Sequence, residues 1–145
     1  MARIKIDEPG EYAFEAIIIT RITDLNYGGH VGNDRIFSFM HDARVQYFKH
    51  LGYKDEISFD GLGIIQTDAA ITYKAEIFAH EEITIGVGVT DVNKYGCDLV
   101  YRFIKADQKL AALGKTGIVF FDYQGRKIAE MPATFIEKAI PDALK

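Results

Sequence analysis

A change of period limits the fold of this chain more than any other feature. Between residues 33 and 51, Ile36, Met40, Ala43, Tyr47 and Leu51 recur at steps of three or four, which places them on one face of a helix. From Gly63 onward the step falls to two. Ile65, Thr67, Ala69, Ile71 and Tyr73 alternate with Gln66, Asp68, Thr72 and Lys74, and Ile83, Ile85, Val87 and Val89 alternate with Thr84, Gly86, Gly88 and Thr90. Two more strands are expected at 96–106 and 110–123, separated by the turn-like Asp107-Gln108-Lys109. Another, at 11–23, precedes the helix and is rich in aromatic and β-branched residues. Phe37, Phe39 and Phe48 fall outside the main helical stripe, so more than half of the helix circumference requires burial. A curved sheet wrapped around the helix, or a sandwich at an interface, meets that requirement. The expected layout is α+β, with the helix segregated from an antiparallel sheet.

The boundaries carry their own signals. Asn33 is the expected N-cap, Asp34 suits the first turn of a helix dipole, and Gly52 is the expected stop. Asp122-Tyr123-Gln124-Gly125 closes the last strand, and the tail is expected to start a helix at Pro132 and end it near Pro141. No repeat or linker divides the chain, so residues 1–145 are read as one domain. With 48% apolar residues, the chain can build a core without disulfides or metal. Cys97 is the only cysteine, which excludes a disulfide framework and Cys-based zinc spacing and fits a reducing compartment. A net charge of −4 without a basic run argues against nucleic acid as a partner. The short apolar runs and an N-terminus without a leader-like stretch argue against a membrane. The expected location is cytoplasmic.

The segment Thr23-Asp24-Leu25-Asn26-Tyr27-Gly28-Gly29-His30-Val31-Gly32-Asn33-Asp34 leads into a helix that reads His41-Asp42-Ala43-Arg44 and ends Leu51-Gly52-Tyr53. This resembles the hotdog-fold acyl-CoA thioesterases of the 4-hydroxybenzoyl-CoA thioesterase type, where the loop reads roughly Asp-Thr-Asp-x-x-Gly-His-Val-Asn-Asn and the helix carries Glu-Glu-Ala-Arg. Ile71-Thr72-Tyr73, Glu81 to Ile85, Lys115 to Asp122 and Met131-Pro132 extend the likeness over roughly residues 11–135. The resemblance implies a hotdog fold, a five-stranded antiparallel sheet around a long central helix at about 33–51. It also implies a homodimer, often assembled into a homotetramer, with active sites between subunits. The substrate would be an acyl-CoA, with coenzyme A as the leaving group and no separate cofactor or metal. One position departs from the pattern. The family's catalytic Asp stands four residues before the His, and here that position is Asn26. Other branches place Asn in the loop and an acid in the helix, and their spacing lands on His41, with Asp42 beside it.

Thioester hydrolysis needs a donor for the carbonyl oxygen, a means of activating water, and a thiolate that leaves. Gly29, His30, Val31 and Gly32 end at a helix N-terminus, where backbone amides suit an oxyanion and glycines admit a ligand, although Gly-Gly is also ordinary turn chemistry. Asn26 does not ionise, but it can orient water or donate to the carbonyl, or it can cap its own turn. A base must come from elsewhere, and His30, Asp34, His41, Asp42 and Asp68 are the local candidates, with His30 otherwise an architectural loop residue or a substrate contact. His41 lies at the border of the buried side, where histidines are more often structural. Arg44 falls close to the apolar side and is read as a structural ion pair or as hydrogen-bonded to loop carbonyls. Gln66, Thr67 and Asp68 are candidates for an auxiliary contact from the partner subunit, with Gln66 and Asp68 on one parity, and Lys94 for a phosphate contact. The lead reading is an acyl-CoA thioesterase. A hotdog protein that binds acyl thioesters without hydrolysing them, or a dehydratase or hydratase, are the competing readings.

Overall fold

The computed structural model describes residues 3–140. β1 (Phe14–Ile19) and a single 3-10 turn (Ile22–Asp24) precede α1 (Asn33–His50). Then come β2 (Gly63–Tyr73), β3 (Glu82–Thr90), β4 (Gly96–Lys105), β5 (Leu110–Asp122), β6 (Lys127–Ile128) and α2 (Ala133–Ala139). All pairings are antiparallel, in the order β1-β3-β4-β5-β2, with β6 on β5. The sixth strand, absent from the five-stranded expectation, exists because Asp122 Oδ1 accepts hydrogen bonds from the amides of Gln124 and Gly125, turning the chain back onto β5. Two residues are too few to show alternation. Pro141 lies outside the described residues. No helix among the described residues is long and apolar enough to cross a membrane.

α1 lies against the inner face of the sheet. Its buried residues are Ile36, Phe39, Met40, Ala43, Arg44, Tyr47 and Phe48, facing Ile83, Ile85, Val87, Leu99, Tyr101 and Phe103 in the core. The approach is close because Gly114 of β5 has no side chain, and a Cβ there would stand 2.6 Å from Met40 Sδ. Below the helix, Phe48, Phe59, Phe120 and Phe135 pack edge to face, with ring centroids 5.0–6.3 Å apart. All four are fully buried, each contributing about 1.5–3 kcal/mol. Phe37 is the exception to the expected burial and stays 47% exposed. The helix is capped by Gly32, and Asn33 is its first residue rather than its cap.

Arg44 brings a charge into this packing, at 6% exposure. Its Nε donates to Glu56 Oε1 at 3.2 Å, and its Nη1 to the Tyr101 hydroxyl at 3.4 Å. Tyr101 bonds in turn to Thr116 Oγ1 at 2.8 Å. His41 Nε2 stands 3.2 Å from the same Glu56 oxygen but is mostly exposed. Arg44 is thus the structural ion pair that its place on the helix suggests, and Glu56, from the α1–β2 connection, holds it.

Two features shape the sheet's outer side. The strand expected at 11–23 is shorter, because residues 3–13 form an arm across the outer face instead of pairing. Pro9 and the Glu11 carbonyl lie over Gly88, Tyr12 lies over Gly86, and the Tyr12 ring stacks 4.3 Å from the Arg102 guanidinium. The edge strand β2 carries a bulge between Gln66 and Asp68. The extra residue, Thr67, breaks the parity that would have aligned Gln66 with Asp68. Asp68 turns outward, onto Lys115 Nζ (3.0 Å), which also binds Asp98 (3.2 Å).

Two stability outcomes follow. A Cβ at Gly96 would collide with the Ile118 carbonyl oxygen on β5. Gly96→Ala is expected to lower unfolding stability by roughly 2 kcal/mol or more in urea, whereas Gly10→Ala, with nothing within 4 Å, shifts it by no more than about 0.5 kcal/mol. Glu56→Ala leaves the Arg44 guanidinium without its carboxylate and is expected to cost about 3 kcal/mol. His41→Ala removes only an exposed partner and is expected to cost under about 1 kcal/mol.

Candidate functional site at the N-terminus of α1

The loop from Asp24 to Gly32 is folded by its own backbone. The Asp24 carboxylate accepts the Arg21 amide (2.8 Å), and its carbonyl accepts the Gly32 amide (3.1 Å). Asn26 donates its N–H to the His30 carbonyl (2.9 Å) and accepts the Gly29 amide on its own carbonyl (3.0 Å). The Asn26 side chain closes the same turn, its Oδ1 accepting the Gly28 amide at 2.8 Å. Gly29 sits at φ +80°, which favours glycine. Val31 then donates to the Ile77 carbonyl at 2.7 Å and ties the loop to the segment after β2. That bond sets His30 beside Glu76, with Nδ1 3.2 Å from Oε1.

Between the loop, the first turn of α1 and the end of β2 opens a cleft of about 700 Å³. Asn26, His30, Asp34, Tyr73, Lys74 and Glu76 are among its lining residues. The size suits a small-molecule site. At its edge the amides of Asn33 and Asp34 make no hydrogen bond among the described residues, as the first turn of a helix dictates. They carry the positive end of the α1 dipole. The Tyr73 hydroxyl donates to the Asn33 carbonyl at 3.3 Å. Burial raises the Tyr73 phenol above its ordinary pKa, and the Asp34 charge adds to the rise, so it stays protonated at neutral pH.

Of the expected site residues, Asn26, His30, Val31 and Asp34 line the cleft, with Gly29 and Gly32 in the loop between them. The other candidates lie elsewhere on the protomer. His41 stands about 12 Å further along α1 by helix rise, against Glu56 and away from the cleft lining. Asp42, its neighbour in sequence, is on another flank, accepting from Gln46 Nε2 at 2.9 Å in a groove shared with Arg35, Ser38 and β1. Gln66, Thr67 and Asp68 are exposed on the β2 edge. Lys94 pairs with Glu130 at 3.1 Å beside the start of β4, and that pairing raises its pKa. Cys97 is buried, its thiol pushed up to about 12 by burial, which makes it inert at neutral pH. Tyr73 and Glu76 are cleft residues that the sequence reading passes over. Tyr73 ends the β2 alternation on the inward parity, a usable signal. Glu76 meets His30 across 46 positions and has no local pattern to mark it.

The sequence profile of the thioesterase-like superfamily matches residues 20–139. No curated protein sequence matches significantly. Among solved structures, a 1,4-dihydroxy-2-naphthoyl-CoA thioesterase from Synechocystis is similar at TM-score 0.79 and 18% identity, covering 91% of this chain and 98% of that one. A gentisyl-coenzyme A thioesterase superposes at TM-score 0.75 and 17% identity, with coverage of 83% and 98%. A hypothetical protein from Staphylococcus aureus, solved in complex with CoA, does so at TM-score 0.77 and 14% identity, with coverage of 86% and 80%. At such identities the structural likeness speaks for the fold. The profile match runs from the end of β1 through α2, over the loop, the helix and the sheet that form the cleft, and the chain belongs to the thioesterase-like superfamily, with its hotdog fold.

Proposed function

We propose that the protein hydrolyses an acyl-CoA thioester to the free acid and CoA at the cleft beside the α1 N-terminus. The observation that carries this reading is the pair of unbonded amides at Asn33 and Asp34, which face a glycine-bearing loop in a chain of this superfamily. Such amides stabilise a developing oxyanion without reorganising, and one donor of this kind is worth about 3 kcal/mol to a transition state. Asn26 has its Oδ1 engaged by Gly28, so its NH2 is the group left to donate to the thioester oxygen or to a water. Gly29, His30, Val31 and Gly32 form the wall along which the acyl group and pantetheine arm lie. Asp34 shares the cleft and polarises its mouth.

The substrate site is completed by a second copy of the chain. β2 has a free edge, its residues Gln66 to Ala69 are exposed, and Phe37 on α1 is left half-covered. Pairing of two β2 edges about a two-fold axis removes that edge and covers the helix face. His41 and Gln66 then lie at the seam.

The specific observation favouring a second reading, acyl-thioester binding without hydrolysis, is the amide at position 26 where the resembled enzymes carry a carboxylate. A panel of short, medium and aromatic acyl-CoAs, followed by thiol release, separates the two. Release of CoA is expected, and binding without release overturns the hydrolase reading. A 2-enoyl-CoA in the same panel that loses its double bond without releasing thiol points to a hydratase instead. Asn26→Ala is expected to lower turnover more than tenfold, a loss of about 1.4 kcal/mol, while unchanged kinetics removes Asn26 from the mechanism. Sedimentation is expected to give at least twice the 16.3 kDa protomer mass.

A further inference from the structure

We infer that His30 and Glu76 form the dyad that activates the attacking water, a role that neither the loop motif nor the helix spacing assigns. The inference rests on the hydrolase reading above and adds the base that reading lacks. A base must hold a lone pair inside the cleft, near the oxyanion donors. His41 Nε2 meets Glu56, whose same oxygen is held by buried Arg44. Asp42 belongs to a different groove. Asp34 is in the cleft but lies beside the very amides that must receive the oxyanion, where its charge opposes the one that develops.

His30 lines the cleft together with Asn33 and Asp34. Its Nδ1 is 3.2 Å from Glu76 Oε1, so in the neutral ring Nδ1–H donates to the carboxylate and Nε2 carries the lone pair. A Cβ built on Gly28 would lie 3.6 Å from His30 Nε2 and 3.1 Å from Asn26 Oδ1, so base and amide border one position. The pair is more than a chance contact of two surface side chains, because the backbone on both sides is tied. The His30 carbonyl accepts the Asn26 amide, Val31 donates to Ile77, and Lys105 Nζ donates to the Glu76 carbonyl at 2.7 Å. The other titratable groups lining the cleft around the pair are Tyr27 from the loop, Asp34 from α1, Tyr73 at the end of β2 and Lys74 just after it.

In this step a water proton passes to His30 Nε2 as the water oxygen bonds to the thioester carbonyl carbon. The carbonyl electron pair moves to the oxygen held by the Asn33 and Asp34 amides. Collapse breaks the carbon–sulfur bond, and the imidazolium returns its proton to the departing thiolate. The Glu76 carboxylate orients the ring and balances the imidazolium.

The test uses the full chain with an acyl-CoA that the wild type hydrolyses. His30→Ala is expected to lower kcat at least about 100-fold, far more than it raises KM, with little change in melting temperature, and added imidazole is expected to restore part of the rate. Glu76→Gln is expected to lower kcat about tenfold with KM unchanged. Independently of turnover, long-range 15N–1H spectra of the neutral wild type are expected to show His30 protonated on Nδ1 and bare on Nε2. Full activity in His30→Ala overturns the dyad and leaves the hydrolase reading standing. Loss of rate together with a lowered melting temperature and no imidazole rescue makes His30 a loop-holding residue and also overturns the dyad, as does an Nε2-protonated ring. A wild type that binds acyl-CoA and releases no thiol overturns the hydrolase reading and the dyad with it.

Discussion

Everything in this molecule depends on how closely α1 can approach the sheet. At the contact, Met40 sits where Gly114 offers only backbone, and the helix settles between strands whose inward residues are large and apolar. A side chain at 114 would lift the helix and move its first turn away from the end of β2. Packing density makes this unforgiving, because a well-filled interior has no slack to absorb a displaced helix. The same contact therefore governs both stability and the position of the amides at Asn33 and Asp34. The buried Arg44, with Glu56 and Tyr101, pins the rotation of the helix about its own axis and so fixes which flank faces the β2 edge.

Around that first turn, the site is assembled by main-chain bonds more than by side chains. One amide-to-carbonyl bond, Val31 to Ile77, joins two segments distant in sequence and sets the residues before them face to face. Within this frame the amide at position 26 has an electrostatic logic. Asp34 and Glu76 already bring two carboxylates to the cleft. A third would add like-charge repulsion among them. Asparagine keeps the acceptor that closes the turn and omits the charge.

Much of this was legible in the residue pattern, and the gaps have physical causes. The helical period bounded α1 at 33–51 against Asn33–His50 in the structure, because an amphipathic stripe of five turns is a long signal. The alternation from Gly63 locates β2 and β3 for the same reason, and the turn-like Asp107-Gln108-Lys109 separates β4 from β5. The residue pattern makes the first strand too long because composition does not distinguish pairing from packing. Tyr12 is β-prone yet rests on Gly86 and Arg102. Parity along β2 failed at Thr67, since a bulge inserts one residue without any local mark. In the site, the loop was readable from its glycines and His30. Its partner Glu76, and Glu56 beside His41, were not, because pairings across 46 and 15 positions leave no periodic trace.

The arm formed by residues 3–13 bears on stoichiometry. Gly86 and Gly88 turn the outer face of β3 into a shallow channel, and the chain fills it with its own Pro9 and Tyr12. A surface already occupied in cis is closed to a neighbour in trans. Sheet-to-sheet stacking of two such protomers over this channel would require each to lift a proline and a tyrosine stacked on arginine before gaining any contact. Any association over this part of the sheet's back is thereby opposed, and the arm acts as a geometric limit on contacts there.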